Sequence, residues 1–219
     1  MQFDFDLAVE ILPWLVKGAI ITLEATVAGF AIAVVGGVPL LLLRRSRSHM
    51  VSKTTGFIVE FIRNTPILVQ LFFLYFVAPS YGITLDPLAT GILVLGVHYS
   101  CYMSEVYRSG LENVHSGQWD AATALSFSPW QTFRYIVFPQ AIPPIIPAAG
   151  NYLIYMFKDS PLLAAISVPE MMHGAQKVGS ENFQYLEPIT VVGVIFLVMS
   201  LASAALLQVV ERRIGRRWR

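Results

Sequence analysis

The chain is poor in charge. Asp, Glu, Lys and Arg make up 13% of its 219 residues, against about 25% in soluble domains. It is 55% hydrophobic, with a mean hydropathy of +0.61. A soluble globular protein is therefore not expected, and the length suits a single membrane domain, 1–219. A single cysteine, Cys101, excludes an internal disulfide. His49, His98, His115 and His173 are scattered, so no two-histidine metal motif is present. There is no glycine-framed serine elbow and no Gly-x-x-x-x-Gly-Lys-Ser/Thr loop. His98, Ser100 and Cys101 share an apolar run, but only His98 and Cys101 are spaced to face one another on a helix. These absences predict no catalytic centre, no cofactor, no metal and no nucleic-acid partner. The start "MQFDFDLAVEILPWLVKG" lacks a basic stretch before its apolar residues, so a cleaved signal peptide is not expected. No internal repeat is visible, which argues against a complete two-fold transporter in one chain.

What is present is a set of long apolar runs. A spanning helix needs about 20 such residues. Five candidates appear, at about 15–43, 56–78, 87–106, 141–168 and 188–210. The fold class expected is an all-α integral membrane protein. Arg44, Arg45, Arg47 and Lys53 lie between the first two spans, and Arg212, Arg213, Arg216, Arg217 and Arg219 close the chain. Basic short loops stay in the cytoplasm, which puts the C-terminus inside. Asp4, Asp6 and Glu10 then lie outside, as do Glu170, Lys177, Glu181 and Glu187. Ala25, Gly29, Ala33 and Gly37 place a small residue every four positions along the first span. Such a stripe admits a close helix, either within the bundle or from another subunit.

Between the third and fourth candidates lies "SGQWDAATALSFSPWQTFRYIVFPQA", in a polar loop 112–139 on the predicted cytoplasmic side. A helix is expected over Gly117–Phe127, with Trp119 and Phe127 as apolar anchors and Asp120 near its positive end. Pro129 can begin a second short helix. A helix lying on lipid usually carries many basic residues, and none occurs here before Arg134. With Ala121 and Ala122 exposed, the helix suits a protein groove better.

This segment resembles the EAA loop of ABC importer permeases: an acid, two alanines, a glycine four residues on, and later Ile-x-x-Pro. Asp120, Ala121, Ala122, Ile136 and Pro139 fit that pattern, while Ser126 stands where it has glycine. "EFIRNTPILVQLFFLYF", "HYSCYMSEVYRSGLENV" and "PQAIPPIIPAAGNYLIYMFKDSPLLAAISVPEM" are similar to segments of the polar amino-acid (histidine/glutamine-type) permeases. Among these, "HYSCYMSEVYRSG", "YLIYMFKDSPLLAAI" and "YLEPITVVGV" most resemble ectoine and hydroxyectoine permeases. The resemblance implies a permease subunit in a bacterial cytoplasmic (inner) membrane. It implies two ATPase subunits that hydrolyse ATP and dock on the loop, a second permease chain, identical or sister, and an extracytoplasmic solute-binding protein. The alternative is an ion-coupled carrier or channel acting alone.

Ionisable residues inside a span are costly and mark candidate solute paths. Lys158 and Asp159 are adjacent, so on a helix they point about 100° apart. Pro161 should break the fourth span near 158–161. Tyr152, Tyr155 and Asp159 share one face, and Asn151, Tyr155 and Lys158 an overlapping one. Either stripe could line a path for a solute bearing a carboxylate and a delocalised cation, with Asp159 facing the cation and tyrosine rings stacking on it. Alternatively, Tyr and Lys reach an interface, with Lys158 snorkelling. Glu60 with Arg63, and Glu105 with Arg108, have the spacing of surface ion pairs, the latter pair alternatively contacting the polar loop or the path, and Pro66 predicts a kink in the second span.

Overall fold

The structure is a computed structural model that describes residues 3–217, with side chains described as far as 213. The side chains of Arg216, Arg217 and Arg219, part of the basic tail, lie outside the described residues. Every regular element among the described residues is helical. Helix α1, Phe5–Arg44, runs for 40 residues. Asp4 caps its start by accepting from the amides of Asp6 and Leu7 at 3.0 and 3.1 Å. Helix α2 is His49–Asn64 and α3 is Ile67–Phe72, the latter continuing through a π turn and a 3-10 turn to Tyr81. Helix α4 is Pro87–Glu112, with Pro87 at its first position behind the Asp86 cap. Short helices α5, Ser116–Ala124, and α6, Pro129–Thr132, lead through a π turn into α7, Phe138–Asp159. After a 3-10 stretch, Ser160–Ile166, come α8, Met171–Asn182, and α9, Leu186–Arg217.

Two helices are long and apolar enough on their own to cross a membrane, Phe5–Arg44 and Leu186–Arg213, and the pair α2 with α3 would make a third. That pair departs from the kinked span expected over 56–78. It bends by 101° at Thr65–Pro66. Pro66 offers no amide to the helix, and the residue before a proline is pushed out of helical geometry; Thr65 is extended, with φ −92° and ψ 129°. Gln70 takes up the carbonyls freed there, its Nε2 donating to Ile62 O at 2.8 Å and Thr65 O at 2.9 Å. Helices α4 and α7 have 26 and 22 residues. Their polar side chains interrupt the apolar run, so length and composition alone do not reach five spans.

Helix α4 is the centre of the bundle and α1 lies along it in the most extensive helix pair. The small stripe of α1 is what lets them meet. Ala25 and Ala33 are fully buried. A Cβ on Gly29 would lie 3.3 Å from Leu95 Cβ, and one on Gly37 only 2.7 Å from Met103 Cβ. The stripe thus faces this chain's own α4. The fourth candidate span changes character where Pro161 predicts it. Regular α-helix stops at Asp159 and the chain tightens into Ser160–Ile166.

Candidate functional site

Where α7 ends, α4 and α7 enclose a wall of tyrosines. The Tyr99 hydroxyl donates to Asp159 Oδ2 at 2.6 Å, the short length of a hydrogen bond to a charged acceptor. The Tyr102 ring lies 5.2 Å from Tyr152 and 5.8 Å from Tyr99, and Tyr152 lies 5.9 Å from Tyr155. The Arg63 guanidinium, from the end of α2, sits over the Tyr102 ring at 4.9 Å, within cation–π range. Its Nε is buried with no hydrogen-bond partner. Gln70 approaches His98 Nδ1 at 3.1 Å and so ties α3 to α4 beside this wall.

Among the sequence candidates, Tyr152, Tyr155 and Asp159 converge here. Lys158 does not: it is exposed and lines a separate cavity with Ile154, Pro161, Gly193 and Phe196, against α9. Asn151 is exposed. Sequence reasoning missed Tyr99 and Tyr102, whose i, i+3 spacing on α4 was readable, and the presence of Arg63. Arg63 arrives only because the 101° bend turns the end of α2 toward α4.

The same bend builds an ionic hub. Glu105 is paired with Arg44 of α1, lies 2.8 Å from Arg108 of its own helix, and has Arg63 of α2 at 3.8 Å. Arg63 also reaches Glu60 at 3.2 Å, and Arg108 reaches Glu112 at 2.6 Å. The i, i+3 pairs expected from spacing are present, but Glu105 is more than a surface partner. It joins three helices where α1, α2 and α4 meet.

The polar loop departs from expectation in its details. Helix α5 ends at Ala124 instead of running to Phe127. Asp120 is its fifth residue, beyond the first turn where an acid best complements the dipole. The His115 ring Nδ1 caps the start by accepting from the Gly117 amide at 3.1 Å. Ala121 is exposed, but Ala122 is fully buried and pins α5 to the body of the protein, so the pair does not present two exposed alanines. The helix stops in a six-to-one turn. Phe127 N donates to Ala122 O and Ser126 N to Thr123 O, both at 3.0 Å, with Ser126 between them at φ 58°. This C-terminal motif ordinarily uses glycine. Ser126 therefore takes the backbone shape of the glycine it replaces. Pro129 then opens α6 behind a capping box of Ser128 and Gln131. Ile136 and Pro139 are half-buried along the passage into α7, and Trp119 is partly exposed.

Comparison with known proteins agrees with this architecture. Residues 25–216 match the family described as binding-protein-dependent transport system inner membrane component. A probable amino-acid ABC transporter permease protein of Sinorhizobium fredii is 43% identical over 98% of this chain and 93% of its own length. The glutamine transport system permease protein GlnP of Escherichia coli K12 is 32% identical over 97% of this chain and 98% of its own. The crystal structure of an amino acid ABC transporter with histidines superposes with a TM-score of 0.92 at 32% identity, over 97% of this chain and all of that one. An inward-facing MetNI methionine ABC transporter shares the fold, with a TM-score of 0.78 at 21% identity over 94% of this chain and 98% of that one. The all-helical chain with its bent α2–α3 pair and central α4 belongs to the binding-protein-dependent transport system inner membrane components, the permease subunits of ABC transporters.

Proposed function

We propose that the chain is the permease of an ATP-driven importer for a small amino-acid-like zwitterion. The observation that carries this reading is a carboxylate and a guanidinium held against one cluster of tyrosines. Asp159 is held by Tyr99 at 2.6 Å, and Arg63 lies over Tyr102 at 4.9 Å. Asp159 and the tyrosine faces would receive the solute's cation, and Arg63 its carboxylate. The relatives named for amino acids and for glutamine support that solute class. The ectoine-like segments narrow it to a compact solute with a delocalised cation, such as ectoine or hydroxyectoine.

In this reading the chain crosses the membrane five times, N-terminus outside and C-terminus in the cytoplasm. Two such permeases, identical or sister, stand on two ATPase subunits, and a binding protein delivers solute from outside. The chain hydrolyses no ATP itself. ATPase closure pushes on the loop 112–139 through the exposed face of α5. The buried Ala122 passes the displacement into the π turn before α7, and α4 and α7 rock so that the tyrosine-walled site opens alternately to each side. The test uses solute pairs in proteoliposomes containing the full complex. A zwitterion should be taken up, while its methyl ester and its decarboxylated amine should compete poorly, each at least tenfold weaker. Equal uptake of the ester would remove Arg63 from the site, and equal uptake of a neutral analogue lacking the cation would remove Asp159.

A further inference from the structure

Away from the tyrosine wall, a cavity opens at the end of the bundle where α7 begins. It holds about 460 Å³ and is formed where the last turns of α1 and α4 meet α5 and the start of α7. Leu42, Leu111, Phe133 and Ile142 make its apolar trough, Trp119 of α5 closes one side, and Arg45 is the one charged residue in its lining. Arg44, next to it, is consumed by Glu105, but among the described residues no carboxylate pairs with Arg45. Arg45 is exposed, as is Arg47 two residues on. A long apolar trough with one uncompensated cation at its mouth is complementary to an amphiphile with an anionic head.

We infer that this groove holds one acyl chain of an anionic phospholipid, its phosphate on Arg45. Two further observations fit. The groove opens among exposed apolar side chains such as Leu42, which is 64% exposed, and Val38, 46% exposed. It is thus continuous with the exposed apolar surface of α1. It also lies at the end of the bundle that carries the basic loop, and basic juxtamembrane residues attract anionic lipid of the cytoplasmic leaflet. The inference rests on the orientation proposed above. Its consequence is regulatory. Trp119 belongs to α5 and Phe133 to the turn that joins α6 to α7, so a seated chain props the loop against the ends of α1 and α4. Anionic lipid would therefore raise the coupling of ATP hydrolysis to uptake.

The test uses the complete complex in nanodiscs of phosphatidylcholine with or without phosphatidylglycerol, read by native mass spectrometry and by ATPase activity. The wild type should retain one phosphatidylglycerol per permease. Arg45→Gln should weaken retention about fivefold, the effect of one interfacial arginine. Arg47→Gln, outside the groove, removes only a diffuse surface charge and should weaken it less than Arg45→Gln does. Ile142→Trp, which fills the trough and leaves the basic rim intact, should abolish retention. A photo-crosslinker at position 42 should label lipid. Equal retention by Arg45→Gln, equal retention of phosphatidylcholine, or crosslinks to an ATPase subunit or to a second permease would each overturn the assignment. Co-purification of the ATPase in the same samples is read separately. Its loss in the wild type would indict the orientation, and its persistence without bound lipid would indict the lipid site alone.

Discussion

Ser126 offers a sharp test of how the loop is built. Its φ of 58° is in the left-handed region, which costs an L-residue about 1–2 kcal/mol relative to glycine. Glycine gives back about 0.5–1 kcal/mol through its freer unfolded chain. The Ser126→Gly variant should therefore hold the turn more tightly by about 0.5–1 kcal/mol. The turn is read by the amides of Ser126 and Phe127, which bond to Thr123 O and Ala122 O at 3.0 Å. Hydrogen exchange there should slow by about two- to fivefold, because exchange through local opening follows the opening free energy. Ser126→Val places a β-branched residue where it is most strained and should speed exchange at least as much. The measurement is exchange mass spectrometry on peptides covering 122–128 in the full-length permease. Unchanged exchange in both variants would refute the claim that Ser126 is strained into a glycine-like turn. Uptake should survive Ser126→Gly, since the shape of the loop is already the one glycine would give.

Other perturbations follow from the same geometry. Ala121→Arg, on the exposed side of α5, should abolish co-purification of the ATPase while leaving the permease in the membrane; an intact complex would remove α5 from the docking surface. Gly37→Ala should lower stability by about 1–3 kcal/mol by overpacking against α4, measured as thermal unfolding in detergent, whereas Gly56→Ala, in the middle of α2 with open space around it, should raise it by about 0.5–1 kcal/mol. Glu170, in the loop before α8, is fully buried, and that burial pushes its carboxyl up to about 7 despite accepting from the amides of Met172 and His173. A raised acid binds its proton more tightly in the folded state, so its contribution is fullest below about pH 4.3 and is lost as pH rises through 7, a fall of roughly 3 kcal/mol. Glu170→Gln should flatten that part of the pH–stability profile, and an unchanged slope would contradict it.

Much of this architecture was legible in the sequence. The break after Asp159 followed from Pro161, the close α1–α4 packing from a four-residue rhythm of Ala and Gly, and the start of α6 from Ser128–Pro129. Local chemistry decides these features, and local chemistry is what a sequence displays. The bend at Thr65–Pro66 was legible only as a kink. A proline shows that a helix must stop, but the 101° turn is set by what the next segment packs against. Because Arg63 and Glu105 meet through that bend, the ionic hub and the cation of the proposed site were hidden with it. Lys158 and Asn151 lie apart from the tyrosine wall for a related reason. Helical spacing shows which residues share a face, but not which face the neighbouring helices cover. The exposure expected of Ala122 failed in the same way: it is fully buried, and α5 packs on elements that follow it in the chain.

The most direct measurement of the proposed mechanism is uptake and ATP hydrolysis recorded together in proteoliposomes holding the permease, its ATPase and its binding protein, for the wild type and for Asp159→Asn. Replacing the carboxylate removes the charge from a hydrogen bond of 2.6 Å to Tyr99 and from the partner of the solute's cation. A charge-assisted bond contributes about 1.5–3 kcal/mol. Solute uptake should fall about ten- to hundredfold, while the complex assembles and the binding protein still stimulates ATP hydrolysis. Uptake at the wild-type rate in Asp159→Asn would contradict the account.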